Sequence, residues 1–506
     1  MTDLYMSAKI IGALGFYSIF NQKNEQCAFL KIATGKQYIR SMVFSSLLFL
    51  LYFLPFFFVA YFATPKPYRN WTILLSSILF YAWGAPAFVL ILLISTFIDY
   101  FLVGWMHRTV KLRKKKTLLA LSIALNLGLL AYFKYANFFV ENIQEFLDTI
   151  NANSFQWIKI VLPIGISFYT FQTLTYSIDV YRKKAEPLDN VKDYLLYILM
   201  FPQLIAGPIV RFNSIAKEIK TRSSNYESRM QGFYRFCIGL SKKVIIANPL
   251  GKYVDQNIDV PIDYITSGNA WLIILAYTFQ IFFDFSGYSD MAIGLGKMMG
   301  FSFPENFNRP YKSRSITEFW RRWHMTLGDW MRDYLYIPLG GNKVNSNTRL
   351  YANLTTVFLL SGLWHGASWN FVLWGAFHGV FLILDRLFLK RVLSSIPAPF
   401  AILTTFFITI HAWVIFRIEE SQPAWDFFSK MWAFDGGFVN LSDKHQFIFT
   451  LALATILSVS PKLNWNRDKP LGSIHLLAAA GCVFLFILSI SMITSSDFNP
   501  FIYFRF

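Results

Sequence analysis

Long apolar runs constrain this chain more than any other feature of its sequence. Five of them, at 43–63, 118–132, 158–176, 271–285 and 471–490, approach or reach the roughly 20 apolar residues that cross the hydrocarbon core of a bilayer. Charged residues make up only 15% of the chain, whereas soluble domains carry roughly a quarter. The sequence therefore predicts an all-α, polytopic integral membrane protein with about a dozen transmembrane or re-entrant helices.

The net charge of +18 first suggests a nucleic-acid partner, so the placement of the basic residues matters. They gather in the short connections between apolar runs, most densely at 108–116, as the positive-inside rule expects of cytoplasmic loops. We therefore expect contact with membrane lipids and not with nucleic acid.

The three cysteines, Cys27, Cys237 and Cys482, match no metal spacing and leave an odd count, so neither a metal site nor a disulfide framework is predicted.

One apolar segment, at 191–210, departs from a simple crossing. If it spanned the membrane completely, Arg211 and the lysines after it would lie on the extracytoplasmic side, against the orientation rule. Pro202 and Gly207 interrupt the helical hydrogen-bond ladder, which is tolerated where protein or a water-filled cavity surrounds the break. The sequence therefore predicts a broken or re-entrant helix with Gln203 beside a cavity.

Residues 1–41 fit the predicted orientation poorly. Three basic residues between positions 31 and 40 precede the first spanning helix on the side that should be extracytoplasmic. We therefore expect 1–41 to be an N-terminal extension, either peripheral or preceding a physiological start at Met42. The membrane domain is expected to comprise 42–506.

His365 is a polar group inside an apolar stretch, and groups at membrane depth are costly enough to be candidates for function. It lies in Gly362-Leu-Trp-His-Gly-Ala367, where small residues permit close backbone approach and Trp364 can wall a pocket. An imidazole titrates near neutrality and can take a proton from a hydroxyl, so His365 is a candidate general base. The alternative interpretation is a histidine that hydrogen-bonds to a neighbouring helix and fixes packing.

A second histidine, His324, lies in an arginine-rich polar segment. Trp320 and Trp323 flank it, which also fits an interfacial helix from which the imidazole extends toward water. The guanidinium groups of Arg321 and Arg322 suit the phosphates of a nucleotide-containing donor, and contact with anionic lipid is the competing interpretation. The predicted site therefore includes Trp320, Arg321, Arg322, Trp323 and His324, with His324 as its second catalytic residue.

Asp284 and Ser286 lie at the end of another apolar run, in Phe283-Asp-Phe-Ser-Gly-Tyr-Ser-Asp-Met291. Buried carboxylates need partners, and the arginine-rich segment that follows is expected to supply them. A structural network is favoured over direct catalysis, although Asp284, Ser286 and Gln203 are kept as candidate substrate-binding residues.

The chain has no Walker phosphate loop, no Gly-x-Ser-x-Gly elbow and no His-Glu-x-x-His helix, which argues against an ATP-driven pump, a serine hydrolase of that type and a zinc protease.

Seven short motifs, in this order along 42–506, resemble those of the membrane-bound O-acyltransferase family. The resemblance is closest to the bacterial branch that contains the alginate O-acetylation membrane protein and the D-alanyl transfer protein of teichoic acids. The motifs are Leu162-Pro-Ile-Gly-Ile-Ser-Phe-Tyr169, Ile205-Ala-Gly-Pro208, Phe283-Asp-Phe-Ser-Gly-Tyr-Ser-Asp-Met-Ala-Ile-Gly294, Glu305-Asn-Phe307, Phe319-Trp-Arg-Arg-Trp-His324, Arg332-Asp-Tyr-Leu-Tyr336 and Gly362-Leu-Trp-His-Gly-Ala367.

The resemblance implies helices arranged as a ring around a central tunnel, in a bacterial inner or plasma membrane. It implies a cytoplasmic acyl thioester, acetyl-CoA above all, as donor substrate, with no tightly bound cofactor. It also implies an extracytoplasmic acceptor, either a polysaccharide or a serine of a separate SGNH-type transferase that completes the transfer. His365 matches the family's principal histidine, and His324 matches the second histidine of this bacterial branch.

The expected function is therefore O-acetylation of an alginate-like or other envelope glycan. Transfer of D-alanine from a carrier protein to teichoic acid is a close alternative within the same branch. From other classes, a non-catalytic translocator of acyl groups or polysaccharide and a scaffold for an envelope assembly complex remain open. The absence of matching halves in the sequence weakly disfavours a secondary transporter.

Overall fold

The computed structural model describes residues 42–152, 155–437, 444–460, 473–496 and 498–500. Within these ranges the regular structure is helical throughout and contains no strand, which confirms the predicted all-α class. The predicted N-terminal extension at 1–41 lies outside the described residues.

The α-helices are numbered here in chain order. Helices α1 to α7 are Leu54–Ala63, Arg69–Gly84, Val89–Arg108, Leu112–Leu130, Ala136–Thr149, Ile166–Tyr181 and Val191–Leu199. Helices α8 to α14 are Phe201–Leu204, Phe212–Lys220, Tyr226–Ser241, Asn248–Asn257, Ser267–Met299, Ile316–Trp320 and Met325–Met331. Helices α15 to α21 are Asn347–His365, Trp369–Leu384, Lys390–Ser395, Ala398–Arg417, Ser421–Met431, Lys444–Val459 and Ser473–Ser495. Turns of π-helix are Leu48–Phe53, Ala131–Tyr135, Lys242–Ala247, Arg332–Tyr336 and Asp385–Leu389.

Six helical segments within the described residues are long and apolar enough to cross a membrane, as a multi-pass protein requires. They are Pro86–Arg108, Leu112–Thr149, Ser267–Met299, Trp369–Ser395, Ala398–Arg417 and Leu476–Ser495. Two shorter apolar helices are Leu48–Ala63 and His445–Val459. The predicted count of about a dozen included re-entrant helices as well as full spans, and the ring around a tunnel stays a prediction.

Helix α12 lies at the centre of this assembly. In its most apolar 18-residue window, 83% of the residues are buried, compared with 28% for Pro86–Arg108 and 11% for Leu476–Ser495. The outer helices therefore leave apolar side chains exposed, as lipid-facing helices do. Because protein surrounds most of α12, this helix can carry polar residues such as Gln280 and Asp284 at membrane depth.

The segment 191–210 is broken, as predicted. Helix α7 ends at Leu199, the four-residue α8 begins at Phe201 with Pro202 in its first turn, and the chain then continues without regular structure to Arg211. The whole segment from Tyr194 to Val210 is buried apart from one partly exposed side chain, so protein surrounds the interrupted backbone. The broken stretch thereby contributes irregular backbone to the interior of the protein.

A buried carboxyl group that sequence reasoning passed over joins four helices. Asp99, on α3, accepts hydrogen bonds from Ser122 (2.5 Å) and Asn126 (3.0 Å) on α4. It also accepts one from Ser177 on α6 (3.3 Å) and one from Tyr194 on α7 (2.6 Å). Because each partner satisfies a group that would otherwise be costly at membrane depth, this network fixes how these helices pack.

The carboxylates of α12 have ion-pair partners different from those expected. Asp284 Oδ1 lies 2.9 Å from Lys243 Nζ, and both side chains are buried. Asp290 pairs with Arg235 Nη2 and Lys242 Nζ, each at 2.6 Å. These cations come from α10 and the π turn after it, which pack against α12, so the prediction that the later arginine-rich segment supplies these ion pairs is wrong.

Candidate functional site around His365

His365 is the last residue of α15, at the point where the chain turns into α16. The two helices pack with their backbones in direct contact. A Cβ atom added at Gly362 would lie 2.1 Å from the carbonyl oxygen of Phe371, and one added at Gly375 would lie 2.2 Å from that of Phe358. Only glycine permits such an approach, which is typical of close-packed membrane helices. The position of His365 therefore depends on the contact between α15 and α16.

The His365 imidazole lies among aromatic rings. Its centroid is 5.0 Å from those of Trp364 and Trp374 and 5.3 Å from that of Phe416. The residue is only 5% exposed, and neither ring nitrogen has a hydrogen-bond partner among the described residues. A buried polar atom without a partner is costly, and such atoms concentrate at functional sites. Both nitrogens are therefore available to a substrate.

A narrow cavity adjoins this ring. Its lining residues are Ile281, Phe285, Trp323, His365, Trp374, Trp413 and Phe416. Its volume is about 10 Å³, room for about one water molecule and far below the roughly 300 Å³ at which ligand pockets begin. In this conformation the cavity is too small for an acyl group and for a complete thioester donor such as coenzyme A, so a substrate enters only if the surrounding side chains move. A continuous tunnel stays a prediction.

His324 has an unusual backbone conformation and a well-defined partner. Its φ of 43° and ψ of 52° lie in the left-handed region, which costs of order 1–3 kcal/mol for such a residue. Its Nδ1 lies 3.0 Å from Asn306 Oδ1, which also accepts a hydrogen bond from Thr326 Oγ1 at 2.9 Å. Asn306 Nδ2 in turn donates to Ser289 Oγ at 3.1 Å. This network orients both the amide of Asn306 and the imidazole of His324.

The network also assigns the tautomer of His324. Because Asn306 Oδ1 acts as an acceptor, Nδ1 of the imidazole carries the hydrogen, and Nε2 of the neutral ring presents a lone pair. Nε2 has no hydrogen-bond partner among the described residues. In this state His324 can accept a hydrogen bond or a proton, and it would have to be protonated before it could stabilise a negative carbonyl oxygen.

The two histidines predicted from sequence meet in the structure. Their ring centroids are 6.5 Å apart, and the ring of Trp364 lies 5.9 Å from His324 and 5.0 Å from His365. Phe285 of α12 packs against His324 at 4.7 Å and lines the cavity beside His365. Two neutral imidazoles thus lie in one water-poor, aromatic region, an arrangement that can transfer a proton during reaction of a small substrate.

The other predicted residues divide into two groups. Trp364 and Trp323 lie beside the histidines, the first through ring contact and the second in the cavity wall. Trp320 lies behind Trp374 and places its indole nitrogen 3.3 Å from Nδ1 of His378. Trp323 therefore lines the cavity, whereas Trp320 contacts the cavity wall only through Trp374.

The polar candidates lie elsewhere. The exposed Arg321 and the partly buried Arg322 are outside the cavity lining, and Arg322 pairs with Glu318 at 2.6 Å. Gln203 donates to the Tyr197 carbonyl at 2.5 Å within the broken segment. Ser286 is buried on α12 without a hydrogen-bond partner among the described residues, and Asp284 forms the ion pair given above. Their predicted roles in substrate binding stay predictions.

Sequence reasoning missed two residues that contact the histidines. Asn306, the partner of His324, stands in the Glu305-Asn-Phe307 motif, so its neighbourhood was recognised without its role. Lys134 contacts the backbone of His365 from a helix 231 positions earlier. A lysine within an apolar run is the signal that could have found it. In the described part of the chain, no group of three histidine, cysteine or acidic side chains could hold a metal ion.

A family model and several known proteins are similar to this chain. A family model described as the membrane-bound O-acyltransferase family matches residues 115–418, which include both histidines. A probable alginate O-acetylase of Azotobacter vinelandii is 38% identical over 504 residues, covering 92% of this chain and all of that protein. A probable alginate O-acetylase of Pseudomonas aeruginosa is 44% identical over 78% of this chain and 75% of its own length. A peptidoglycan O-acetyltransferase of Helicobacter pylori is 36% identical over 76% and 78% respectively.

These matches extend across the helices that form the cavity and hold His324 and His365. They agree with the family to which the motifs pointed, and they make the protein a multi-pass membrane enzyme of the O-acyltransferase class. The chain belongs to the membrane-bound O-acyltransferase family.

Proposed function

We propose that this protein takes acetyl groups from cytoplasmic acetyl-CoA and passes them toward an extracytoplasmic polysaccharide of the bacterial envelope. The final acceptor is an alginate-like or related glycan, reached directly or through the serine of a separate SGNH-type transferase. The names of the relatives support this substrate class, since they act on alginate and on peptidoglycan. The inner (plasma) membrane is the site this activity requires, because the donor and the acceptor lie on opposite sides of it.

In the proposed reaction His365 acts as general base. A ring nitrogen takes the proton of the acceptor hydroxyl as its oxygen attacks the thioester carbonyl. The new C–O bond forms, the C–S bond breaks, and the thiolate of coenzyme A leaves and recovers the proton from the imidazolium. An oxyanion develops on the carbonyl between these steps, and the low-polarity walls strengthen any hydrogen bond that it receives.

One observation carries this proposal: a buried imidazole whose two ring nitrogens have no partner among the described residues, beside a narrow cavity lined by aromatic side chains. A histidine used only for packing would normally donate or accept within the protein, as His411 does toward the carbonyl of Phe407 at 2.8 Å. The free nitrogens of His365 thus favour chemistry over the packing interpretation.

An assay of the purified protein separates the enzyme from a non-catalytic translocator or scaffold. The protein is supplied with acetyl-CoA, with and without its extracytoplasmic transferase and glycan, and release of free coenzyme A is followed. Turnover that requires His365 supports the enzyme. Export of polymer or acyl groups without thiol release would support the translocator, and turnover with a D-alanyl carrier thioester in place of acetyl-CoA would support the D-alanyl alternative.

His324→Gln is expected to lower the rate of acetyl transfer by about 10- to 100-fold, a smaller loss than removal of the base. The reason is that Nε2 of His324 faces the same aromatic region but does not have to take the hydroxyl proton in this mechanism. Asn306→Ala, which removes the oxygen that orients the ring, is expected to give a similar loss. If both variants turned over at the wild-type rate, His324 would have no part in the reaction.

Substituting Arg321 and Arg322 together with alanine is expected to raise the KM for acetyl-CoA by roughly tenfold, with a smaller effect on kcat. The physical reason is loss of guanidinium contacts to the donor phosphates. Arg321→Ala alone should have most of the effect, because Arg322 is already paired with Glu318. Arg314→Ala, an exposed arginine in the same segment, is the control. An unchanged KM in the double variant would favour contact with anionic lipid instead.

A further inference from the structure

Lys134 is a buried cation in the middle of the candidate span Leu112–Thr149. It belongs to the π turn Ala131–Tyr135 and is only 8% exposed. A lysine at membrane depth is costly and requires a partner, either a group of opposite charge or backbone carbonyls. No carboxylate lies within ion-pair distance of its ammonium among the described residues. Its partners are instead backbone carbonyls of another helix.

These carbonyls belong to the last turn of α15. Lys134 Nζ donates to the carbonyl oxygens of Trp364 at 2.5 Å and His365 at 3.1 Å, and lies 3.4 Å from Ser167 Oγ. The hydroxyl of Tyr135 donates to the carbonyl oxygen of Leu363 at 2.7 Å. Two consecutive side chains of one π turn therefore bind three consecutive carbonyls at the end of the helix that carries His365.

Helix ends explain why these contacts matter. The last four carbonyls of an α-helix lack partners within the helix. In α15 the first of them, on Gly362, accepts from the amide of Gly366, and the other three are those bound by Lys134 and Tyr135. A positive charge at a helix C-terminus is also favourable because the carbonyl dipoles point toward it. The π turn thus completes the C-terminal cap of α15.

The cap also helps to orient the ring of His365. A catalytic histidine is normally held by a hydrogen bond from one ring nitrogen to a carbonyl or carboxylate, whereas no such bond to His365 is present among the described residues. Its ring must then be oriented by aromatic contacts and by the backbone from which it projects. Lys134 and Tyr135 bind that backbone directly.

We propose that Lys134 and Tyr135 are positioning residues, which hold the terminal turn of α15 so that the His365 ring faces the reacting atoms. This inference rests on the proposed role of His365 as general base. It assigns a role in catalysis to two residues that touch neither donor nor acceptor, and a displacement of about 1 Å of a catalytic group can cost roughly 100-fold in rate.

The test compares kcat and KM of purified variants. Lys134→Met keeps the length of the side chain but donates no hydrogen bond, and it is expected to lower kcat by about 10- to 100-fold while the KM for acetyl-CoA changes less than about threefold. Lys134→Gln retains a donor and should recover part of the lost kcat. Tyr135→Phe, which removes one hydroxyl, should lower kcat by roughly three- to tenfold.

Tyr132→Phe is the matched control, since Tyr132 lies in the same π turn but is 55% exposed. It should match the wild type in both parameters. Because Tyr135→Phe is a mild change, it decides the question if Lys134→Met is not recovered from the membrane. If His365→Ala is inactive but Tyr135→Phe and every recovered variant of Lys134, Lys134→Met included, have the wild-type kcat, the positioning role alone is overturned. Full activity of His365→Ala would instead remove the proposed function itself.

Discussion

Replacing His365 with alanine is expected to abolish acetylation of the polymer, with a loss of at least about 10²- to 10⁴-fold in the rate of transfer. The substitution removes the group proposed to take the hydroxyl proton, and the other imidazole of the site, that of His324, lies 6.5 Å away between ring centroids. The amount of protein in the membrane should stay close to that of the wild type, because the ring forms no hydrogen bond that the fold needs. Acetyl content of the exported polymer, measured beside the membrane level of the protein, checks both parts.

His411→Ala provides the matched control for this experiment. His411 is also a buried histidine, but its Nδ1 contacts the carbonyl of Phe407 in its own helix, and its ring stacks with Trp432. It is expected to retain most of the acetylation. If both variants retained activity, the packing interpretation of His365 would hold. If both proteins were lost from the membrane to the same extent, both rings would be needed for folding.

The second large effect is expected from Gly375→Ala, which adds a single methyl group to α16. The new Cβ would lie 2.2 Å from the carbonyl oxygen of Phe358 on α15, and backbone atoms cannot move aside as a flexible side chain can. The two helices must separate, at a cost of about 1–3 kcal/mol. A clear drop in the melting temperature of the purified protein should therefore accompany loss of activity, because the end of α15 carries His365.

Gly379→Ala is the control for this change. Gly379 lies one turn further along α16, where an added Cβ would meet the Cβ of Phe358 at 3.7 Å, an ordinary contact. The same methyl group should therefore be tolerated there, with little change in melting temperature. If Gly375→Ala were as stable as Gly379→Ala, the backbone contact between α15 and α16 would not set the position of the site.

The sequence predicted those features of this membrane protein that depend on local pattern. Apolar runs indicate helices, and Pro202 interrupts its helix because proline cannot donate to the helical ladder. The two histidines were recognisable because polar groups at membrane depth are rare. Their ring centroids lie 6.5 Å apart, so the two residues share one region of the fold.

The contacts that orient these histidines depend on tertiary packing, which a local pattern does not contain. Asp284 was expected to pair with the arginine-rich segment after it, but helix α12 is rotated so that this carboxylate faces Lys243. In the sequence, Lys134 is likewise a single lysine within an apolar run. In the folded protein its ammonium contacts the end of α15. The direction in which each helix faces decides such pairs, and packing against neighbouring helices sets that direction.

The most direct test of the account is a structure of the protein bound to a ketone analogue of acetyl-CoA, in which a methylene group replaces the thioester sulfur. Since this analogue cannot be cleaved, its carbonyl group marks the place of reaction. The account predicts that the carbonyl carbon lies near the His365 ring, with room for one acceptor hydroxyl between them. The distance from that hydroxyl oxygen to the carbonyl carbon should be roughly 3–3.5 Å. A carbonyl bound in another part of the protein, with the imidazole still enclosed by Trp364, Trp374 and Phe416, would contradict it.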